Sequence, residues 1–377
     1  MRLALIISSL AMGGAERVLC QLAGAWNSQG IEVTVVTLAS ASQDFYSLPQ
    51  GIGRVALDVT GASANPLSAL FANVRRLKII RRTLRDLDAD AVVSFLDATN
   101  VLSLMAVQGL GIPVVVTEHT DLDLHAAKVN RPWHWLRKIM YPRAAAVVGV
   151  SRKIADQLSS LAPGAGRVLA IANPVDSAAC QGEPEVRLSR PTVVGMGRLV
   201  ESKRFDLLMH AFAQCLPSHP DWRLVVLGEG PERAGLEKLA RELGLKDSFM
   251  LPGAVRNPGP VLAQAEIFAL TSRYEGFPMS LVEAMACGLP AVCTDYPAGP
   301  GEIIQDGVNG ALVPANDPAA LFKALDQLMS DDAMRVSMGE RAREVIQRFG
   351  FHAIMERWND LLAEVIGRPW PKVEPCE

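Results

Sequence analysis

The chain has 377 residues, of which 49% are hydrophobic and 20% charged, and a formal net charge of −3. That composition excludes a disordered chain, and no apolar run approaches the ~20 residues of a membrane-spanning helix. The length suits two domains of roughly 170 to 200 residues rather than one core.

The charge is unevenly divided. Residues 1–173 carry 17 Lys+Arg against 12 Asp+Glu, a balance of +5, which leaves 20 against 28, a balance of −8, for residues 174–377. A basic half either meets something anionic or reflects chance clustering. The six cysteines show no CxxC pair and no histidine at metal-ligand spacing, so they read as scattered thiols of a reducing cytoplasm.

In chain order, the opening MRLALIISSL lacks a basic n-region and a cleavage site, and reads as a first buried strand rather than a signal peptide. EVTVVTLA, AVVSFLD, PVVVTE and AVVGVS are further short apolar runs bounded by turn or helix signals, with helices expected over 15–28, 67–87 and 131–140. The irregular stretch 177–191, just beyond Asn173-Pro174, is the expected linker. A second series follows: TVVGMG, RLVVLGEG, FMLPGAV, IFALTS, AVCTD and ALVPA, with helices over 205–215, 232–243, 280–286, 318–329 and 332–348. The fold class is therefore α/β, with two Rossmann-like domains facing a central cleft. The domains are 1–173 and 174–350, and the helix and tail of 351–377 are expected to pack back on the first.

Three stretches of the second half converge on a nucleotide-sugar. Gly197-Arg198-Leu199-Val200-Glu201-Ser202-Lys203 puts a guanidinium and an ammonium at a strand's C-terminal end. Two fixed cations can stabilise a leaving diphosphate without a metal; the plainer reading is a basic turn before a helix. Glu275-Gly276-Phe277-Pro278-Met279-Ser280-Leu281-Val282-Glu283 holds two carboxylates eight positions apart across a strand-to-helix turn. Glu275 suits sugar hydroxyls and Glu283 the ribose, while the free N–H groups at the helix start suit a phosphate. The plainer reading of Glu283 is a capping acid in the first turn of a helix starting near Ser280. Gly228 and the turn at Gly253-Ala254-Val255 close two further strands, where glycine permits close approach by a ligand.

This order of motifs resembles the family 4 retaining glycosyltransferases, which have the two-domain B-type glycosyltransferase fold. The resemblance runs from Gly13-Gly14-Ala15-Glu16 to the helix at 351–366. It implies that Arg198 and Lys203 contact the donor diphosphate, Glu275 the sugar and Glu283 the ribose. Gly13, Gly14, Gly197, Gly228, Val255, Gly276, Phe277, Met279, Ser280 and Leu281 line the donor site in that reading, and ring contacts near Val255 come largely from backbone. The closing Asp295-Tyr296-Pro297-Ala298-Gly299-Pro300-Gly301-Glu302-Ile303 resembles a subgroup that includes bacterial N-acetylgalactosaminyltransferases of lipid-linked glycan assembly. The resemblance also implies retention of anomeric configuration, with the leaving phosphate helping to deprotonate the acceptor.

Gly13-Gly14 opens the first helix without a GxGxxG fingerprint, which weakens a nicotinamide reading. His119 matches the family's active-site histidine, as a hydrogen-bonding group for the donor sugar rather than a nucleophile. Asp88-Ala-Asp90 and Asp121-Leu-Asp123 have metal-site spacing but read as turns, and no metal or cofactor is expected.

On the helix 67–87, Leu70, Leu77, Ile80, Leu84 and Leu87 form a core stripe. Arg75, Lys78, Arg82 and Arg85, with Arg81 beside them, form a basic one spanning about 15 Å. That stripe fits an anionic membrane or a lipid diphosphate, or is a solvated face. Trp133, Trp135 and Tyr141 among Arg131, Arg137, Lys138 and Arg143 add interfacial aromatics and cations. No nucleic-acid module is present.

The expected activity is transfer of a hexose or N-acetylhexosamine from a nucleotide-diphosphate sugar, UDP-linked, to a lipid-linked or polysaccharide acceptor. The expected location is the cytoplasmic face of the inner membrane, by peripheral association. A sugar-nucleotide epimerase or a non-catalytic sensor of the same fold is the alternative.

Overall fold

A computed structural model of the chain describes residues 1–60, 66–122, 131–296 and 299–371. The chain forms two units, Met1–Asn173 with Ile354–Glu377, and Pro174–Ala353. Each is built on one parallel sheet.

Among its described residues the first unit has seven strands: β1 (Arg2–Ile7), β2 (Glu32–Thr37), β3 (Gly53–Ala56), β4 (Ala91–Phe95), β5 (Val114–Glu118), β6 (Ala146–Gly149) and β7 (Val168–Ala170). They lie in the order β3-β2-β1-β4-β5-β6-β7. The helices between them are α1 (Gly14–Ser28), α2 (Pro66–Leu87), α3 (Asp97–Ala106), α4 (Arg131–Met140) and α5 (Arg152–Leu161). Strands β1, β4 and β5 are covered on both faces, which is why they read as continuous apolar runs. Strands β3 and β7 escaped the sequence reading because they are short edge strands with no fully buried residue. The chain's last helix returns to this unit, with Trp358 edge-on to Trp26 at 6.0 Å. Trp26 Nε1 also donates to Asn359 Oδ1 at 3.0 Å.

The second unit carries β8 (Thr192–Met196), β9 (Arg223–Leu227), β10 (Phe249–Gly253), β11 (Ile267–Leu270), β12 (Ala291–Asp295) and β13 (Gly310–Pro314). These match the six expected runs and lie in the order β10-β9-β8-β11-β12-β13. Its helices are α6 (Phe205–Cys215), α7 (Arg233–Glu242), α8 (Gly259–Leu262), α9 (Met279–Ala286), α10 (Pro318–Ser330), α11 (Asp332–Ala342) and α12 (Val345–Phe349); α13 (Phe351–Ile366) follows. The single helix expected over 332–348 is two, because the ladder tightens into i→i−3 bonds at Glu344, Ile346 and Gln347. In both sheets the order reverses direction beside the first strand of its unit. That crevice, outside the strands' C-terminal ends, is where doubly wound sheets bind ligands.

The expectation of scattered thiols is corrected by a disulfide between Cys180 and Cys287, 107 residues apart. Cys180 ends a 3-10 turn at the start of the expected linker stretch, and Cys287 caps the C-terminal end of α9. Packing of that turn against the helix, invisible to sequence spacing, brings them together. Cys20, Cys215 and Cys293 are buried and free, and Cys376 lies outside the described residues.

The acidic pairs have local partners. Asp88 accepts from Arg2 and Asp90 from Arg368. Buried Asp121 holds Lys153 Nζ at 2.7 Å and Gln157 Nε2 at 2.9 Å, while Asp123 lies outside the described residues.

Candidate functional site

The strand ends on either side of the second unit's reversal point, β8 and β11, carry the cations and the first carboxylate. Backbone contacts force glycine here. A Cβ on Gly228 would lie 1.9 Å from the Gly197 carbonyl oxygen, and one on Gly230 would lie 2.4 Å from that of Leu199. A Cβ on Gly197 would come within 3.1 Å of Lys203 Cε, so its absence lets the lysine stem lie across the end of β8. Thr271 Oγ1, its one proton shared between the carbonyls of Lys203 at 3.0 Å and Arg204 at 2.9 Å, ties that loop to the end of β11. A further bond runs from the Arg273 N–H to Ser202 O at 2.8 Å.

Lys203 Nζ donates to Glu275 Oε1, which also accepts from Ser272 Oγ at 2.7 Å. Both members of this ion pair are more than four-fifths buried, at 16% and 17% side-chain exposure. Lys203 and Glu275, expected to meet different parts of the donor, are coupled directly by the fold. Arg198 is exposed and makes no ion pair among the described residues. Its charge is therefore available to an anion.

Glu283 is buried at 8% exposure. Helix α9 begins at Met279 with Pro278 as N-cap, so Glu283 is its fifth residue and the first turn contains no acid. That corrects its expected first-turn placement, and with it the capping reading. Leu281 is fully buried and its N–H donates to Pro278 O at 3.0 Å, so neither its side chain nor its amide is open to a ligand. Ser280 and Gly276 are half-buried, and the Phe277 ring packs edge-on to Phe349 at 5.4 Å. Val255 is half-buried beyond Gly253, whose positive φ of 104° turns the chain after β10.

In the first unit, Gly13 caps α1 without a side-chain bond. A Cβ there would lie 2.1 Å from Glu16 Oε2, so the carboxylate of Glu16 covers it. A Cβ on Gly14 would meet nothing within 4 Å. His119 follows β5, stacks on Phe95 at 5.6 Å, and has Nε2 3.2 Å from Thr117 Oγ1. Because the Thr117 hydroxyl donates to Ser94 O at 3.1 Å, its oxygen accepts from His119 Nε2–H. Nδ1 is then left as an acceptor for a substrate hydroxyl. Burial lowers the imidazole pKa to about 4, so His119 is neutral at pH 7. An NMR titration should show it uncharged down to about pH 4; a midpoint near 6.5 would contradict that.

Beneath His119 lies a cluster missed in the sequence reading. Glu118 Oε1 accepts from Tyr141 Oη and from Arg137 Nη1 at 3.4 Å, and Asn100 Nδ2 reaches Tyr141 Oη at 3.3 Å and Thr117 O at 2.9 Å. Arg137 and Tyr141 are fully buried. This overturns their expected place among interfacial cations and aromatics: an amphipathic helix rich in Trp and Arg has the same composition whichever residue turns inward. Trp135, Lys138 and Arg143 remain exposed and Trp133 half-exposed; the Arg131 side chain lies outside the described residues.

On α2, Arg75, Lys78, Arg82 and Arg85 are all exposed, while Ile80 and Leu84 are buried and Leu77 and Leu87 half-buried. The Leu70 side chain lies outside the described residues. Phe71 and Val74, 74% and 41% exposed, share the basic face. At 3.6 residues per turn the six fall within an arc of about 100°. Arg81 does not belong to it; its guanidinium donates to the Ala106 and Gln108 carbonyls at 2.7 Å.

Two family models match the chain: a glycosyl transferase 4-like domain over residues 13–174 and glycosyl transferases group 1 over residues 181–345. The chain belongs to the family 4 glycosyltransferases. This glycosyltransferase is 28% identical to a Campylobacter jejuni protein, over 97% of this chain and 99% of that one. The relative is named GalNAc-alpha-(1->4)-GalNAc-alpha-(1->3)-diNAcBac-PP-undecaprenol alpha-1,4-N-acetyl-D-galactosaminyltransferase. An exopolysaccharide phosphotransferase of Streptomyces coelicolor is 35% identical over 77% of the chain, which spans 30% of that relative's length. Among solved structures, sucrose-phosphate synthase from Thermosynechococcus elongatus shares the fold with a TM-score of 0.82 at 19% identity, covering 97% of this chain and 99% of that one. Anabaena HepE in complex with UDP and glucose does so with a TM-score of 0.78 at 19% identity, over 97% and 100%. The glycosyltransferase thus has the B-type fold expected from its motifs.

Proposed function

We propose that this glycosyltransferase moves a hexose or N-acetylhexosamine from a UDP-sugar to a lipid-linked glycan at the cytoplasmic face of the inner membrane. The observation that carries the donor half is the coupling of Lys203 to Glu275 at the reversal point of the second sheet, with Arg198 exposed beside it. In this reading the bond from the anomeric carbon to the diphosphate breaks, and Arg198 and Lys203 take up the charge developing on the leaving oxygens without a metal. The acceptor hydroxyl attacks the same face and passes its proton to that phosphate. Glu275 orients the sugar, His119 Nδ1 accepts from a sugar hydroxyl, and Glu283 holds the ribose. The name of the full-length Campylobacter relative, an N-acetylgalactosaminyltransferase of an undecaprenol-linked glycan, supports this acceptor class.

Membrane association is supported by the face of α2, where Phe71 and Val74 accompany four exposed cations. No helix among the described residues is long and apolar enough to cross a membrane. Each cation near an anionic surface contributes ~1 kcal/mol. Reversing Arg75, Lys78 and Arg82 to Glu should therefore remove binding to anionic liposomes in a sedimentation assay, whereas unchanged partitioning would make the stripe a solvated face. The activity itself is tested by incubating a panel of nucleotide sugars with lipid-linked acceptors and reading product masses. A donor isomerised without acceptor would indicate an epimerase, and one left intact a sensor; no observation favours either.

A further inference from the structure

Strand β5 is Val114-Val115-Val116-Thr117-Glu118, and a fourth valine would suit the buried fourth position as well as threonine does. Thr117 is buried, yet its hydroxyl is engaged twice: it donates to Ser94 O at 3.1 Å and lies 3.2 Å from His119 Nε2. The register of β4 on β5 pairs Phe95 with Thr117, which brings the Phe95 ring onto the same face, stacked on the imidazole at 5.6 Å. The main chain of Thr117 is also tied down. Its carbonyl accepts from the Leu96 N–H at 3.2 Å and from Asn100 Nδ2 at 2.9 Å. The hydroxyl is thus held at one nitrogen of a half-buried ring whose plane is set by Phe95.

We infer that Thr117 is a positioning residue for sugar recognition: it keeps the proton of His119 on Nε2, so that Nδ1 faces the sugar as an acceptor. The hydroxyl has one proton and the Ser94 carbonyl can only accept, which leaves the Thr117 oxygen to accept from the ring. The two tautomers of a neutral imidazole differ little in energy, so one such bond decides between them. Burial lowers the His119 pKa to about 4, so at pH 7 the tautomer, not the charge, is what the site has to fix. The opposite tautomer would offer the sugar a proton where this one offers a lone pair. The inference rests on the role given to His119 under the proposed function and adds the residue that sets its polarity.

The test joins two measurements on the full chain: long-range proton–nitrogen NMR with heavy nitrogen in the histidines, and calorimetric titration with UDP, UDP-glucose and UDP-N-acetylgalactosamine. Wild type, Thr117→Val, Thr117→Ser and His119→Ala are compared, the last also identifying the His119 signals. Wild type should carry the proton on Nε2 alone; a proton on Nδ1 would overturn the inference without any variant. Thr117→Val should populate the Nδ1-protonated tautomer, bind UDP as wild type does and lose about three- to thirty-fold in affinity for at least one UDP-sugar. Thr117→Ser keeps the hydroxyl and should restore both the tautomer and the affinity. A wild-type tautomer in Thr117→Val, unchanged affinity for both UDP-sugars, or an equal loss for UDP and the UDP-sugars would each overturn the assignment. His119→Ala separates the two readings. If it binds both UDP-sugars like wild type, the role of His119 itself fails; if it loses affinity and Thr117→Val does not, only the role of Thr117 falls.

Discussion

Lys203→Ala should fold like wild type and lose transfer activity by about 10²- to 10³-fold, the usual effect of removing one group that stabilises developing charge. The ammonium is fixed before any ligand arrives: its stem lies over Gly197, its ion pair is with Glu275, and the loop carrying it is bonded to Thr271 and Arg273. No side-chain reorganisation is then needed as the diphosphate leaves, which is the condition for a large electrostatic contribution. Truncation also leaves the Glu275 carboxylate with only Ser272 as its described donor, so sugar orientation suffers as well. Circular dichroism and steady-state rates would check both parts. A rate within a few-fold of wild type would remove Lys203 from the chemistry.

Arg137→Ala should destabilise the first unit by about 3–5 kcal/mol, because it strands Glu118 in the interior without its cation. Replacing both partners with apolar residues, Glu118→Leu with Arg137→Met, should cost less than Arg137→Ala alone. The pH dependence has a definite sign. Burial pushes the Glu118 carboxyl up to about 7, against the lowering effects of Arg137 and the Tyr141 hydroxyl. With a folded pKa above the unfolded one, the protonated carboxyl favours the fold below about 4.5, and that contribution is lost as pH rises through about 7. The deficit of Arg137→Ala should accordingly shrink as pH falls from 8 to 5 in urea titrations. A deficit independent of pH would mean that Glu118 is not the group left exposed to the loss.

The second unit was the more legible in sequence. Its six strands are apolar runs, of which the central β8, β9, β11 and β12 are covered on both faces, and Arg198, Lys203 and Glu275 follow strand ends while Glu283 lies within α9. Partnerships were not legible. Lys203 and Glu275 are 72 residues apart and Cys180 and Cys287 are 107 apart; only the sheet order shows which loops become neighbours. The capping reading of Glu283 failed on a single residue of helix phase, because α9 starts at Met279 rather than Ser280. Arg137 and Tyr141 misled for a related reason, since a Trp- and Arg-rich helix does not announce which cation turns inward. The basic stripe of α2 was read correctly in its exposure. Its apolar companions Phe71 and Val74 were missed because the stripe was traced through charge alone.

The central claim is that the strand ends of the second sheet form a metal-independent site for a nucleoside diphosphate. Titration of UDP into the wild type and into Lys203→Ala, both in EDTA, tests it most directly. Wild type should bind without added metal, and Lys203→Ala should bind about ten- to a hundred-fold more weakly, the loss expected for a charge-assisted hydrogen bond. Equal affinity in the two proteins, or binding that appears only on adding magnesium, would contradict it.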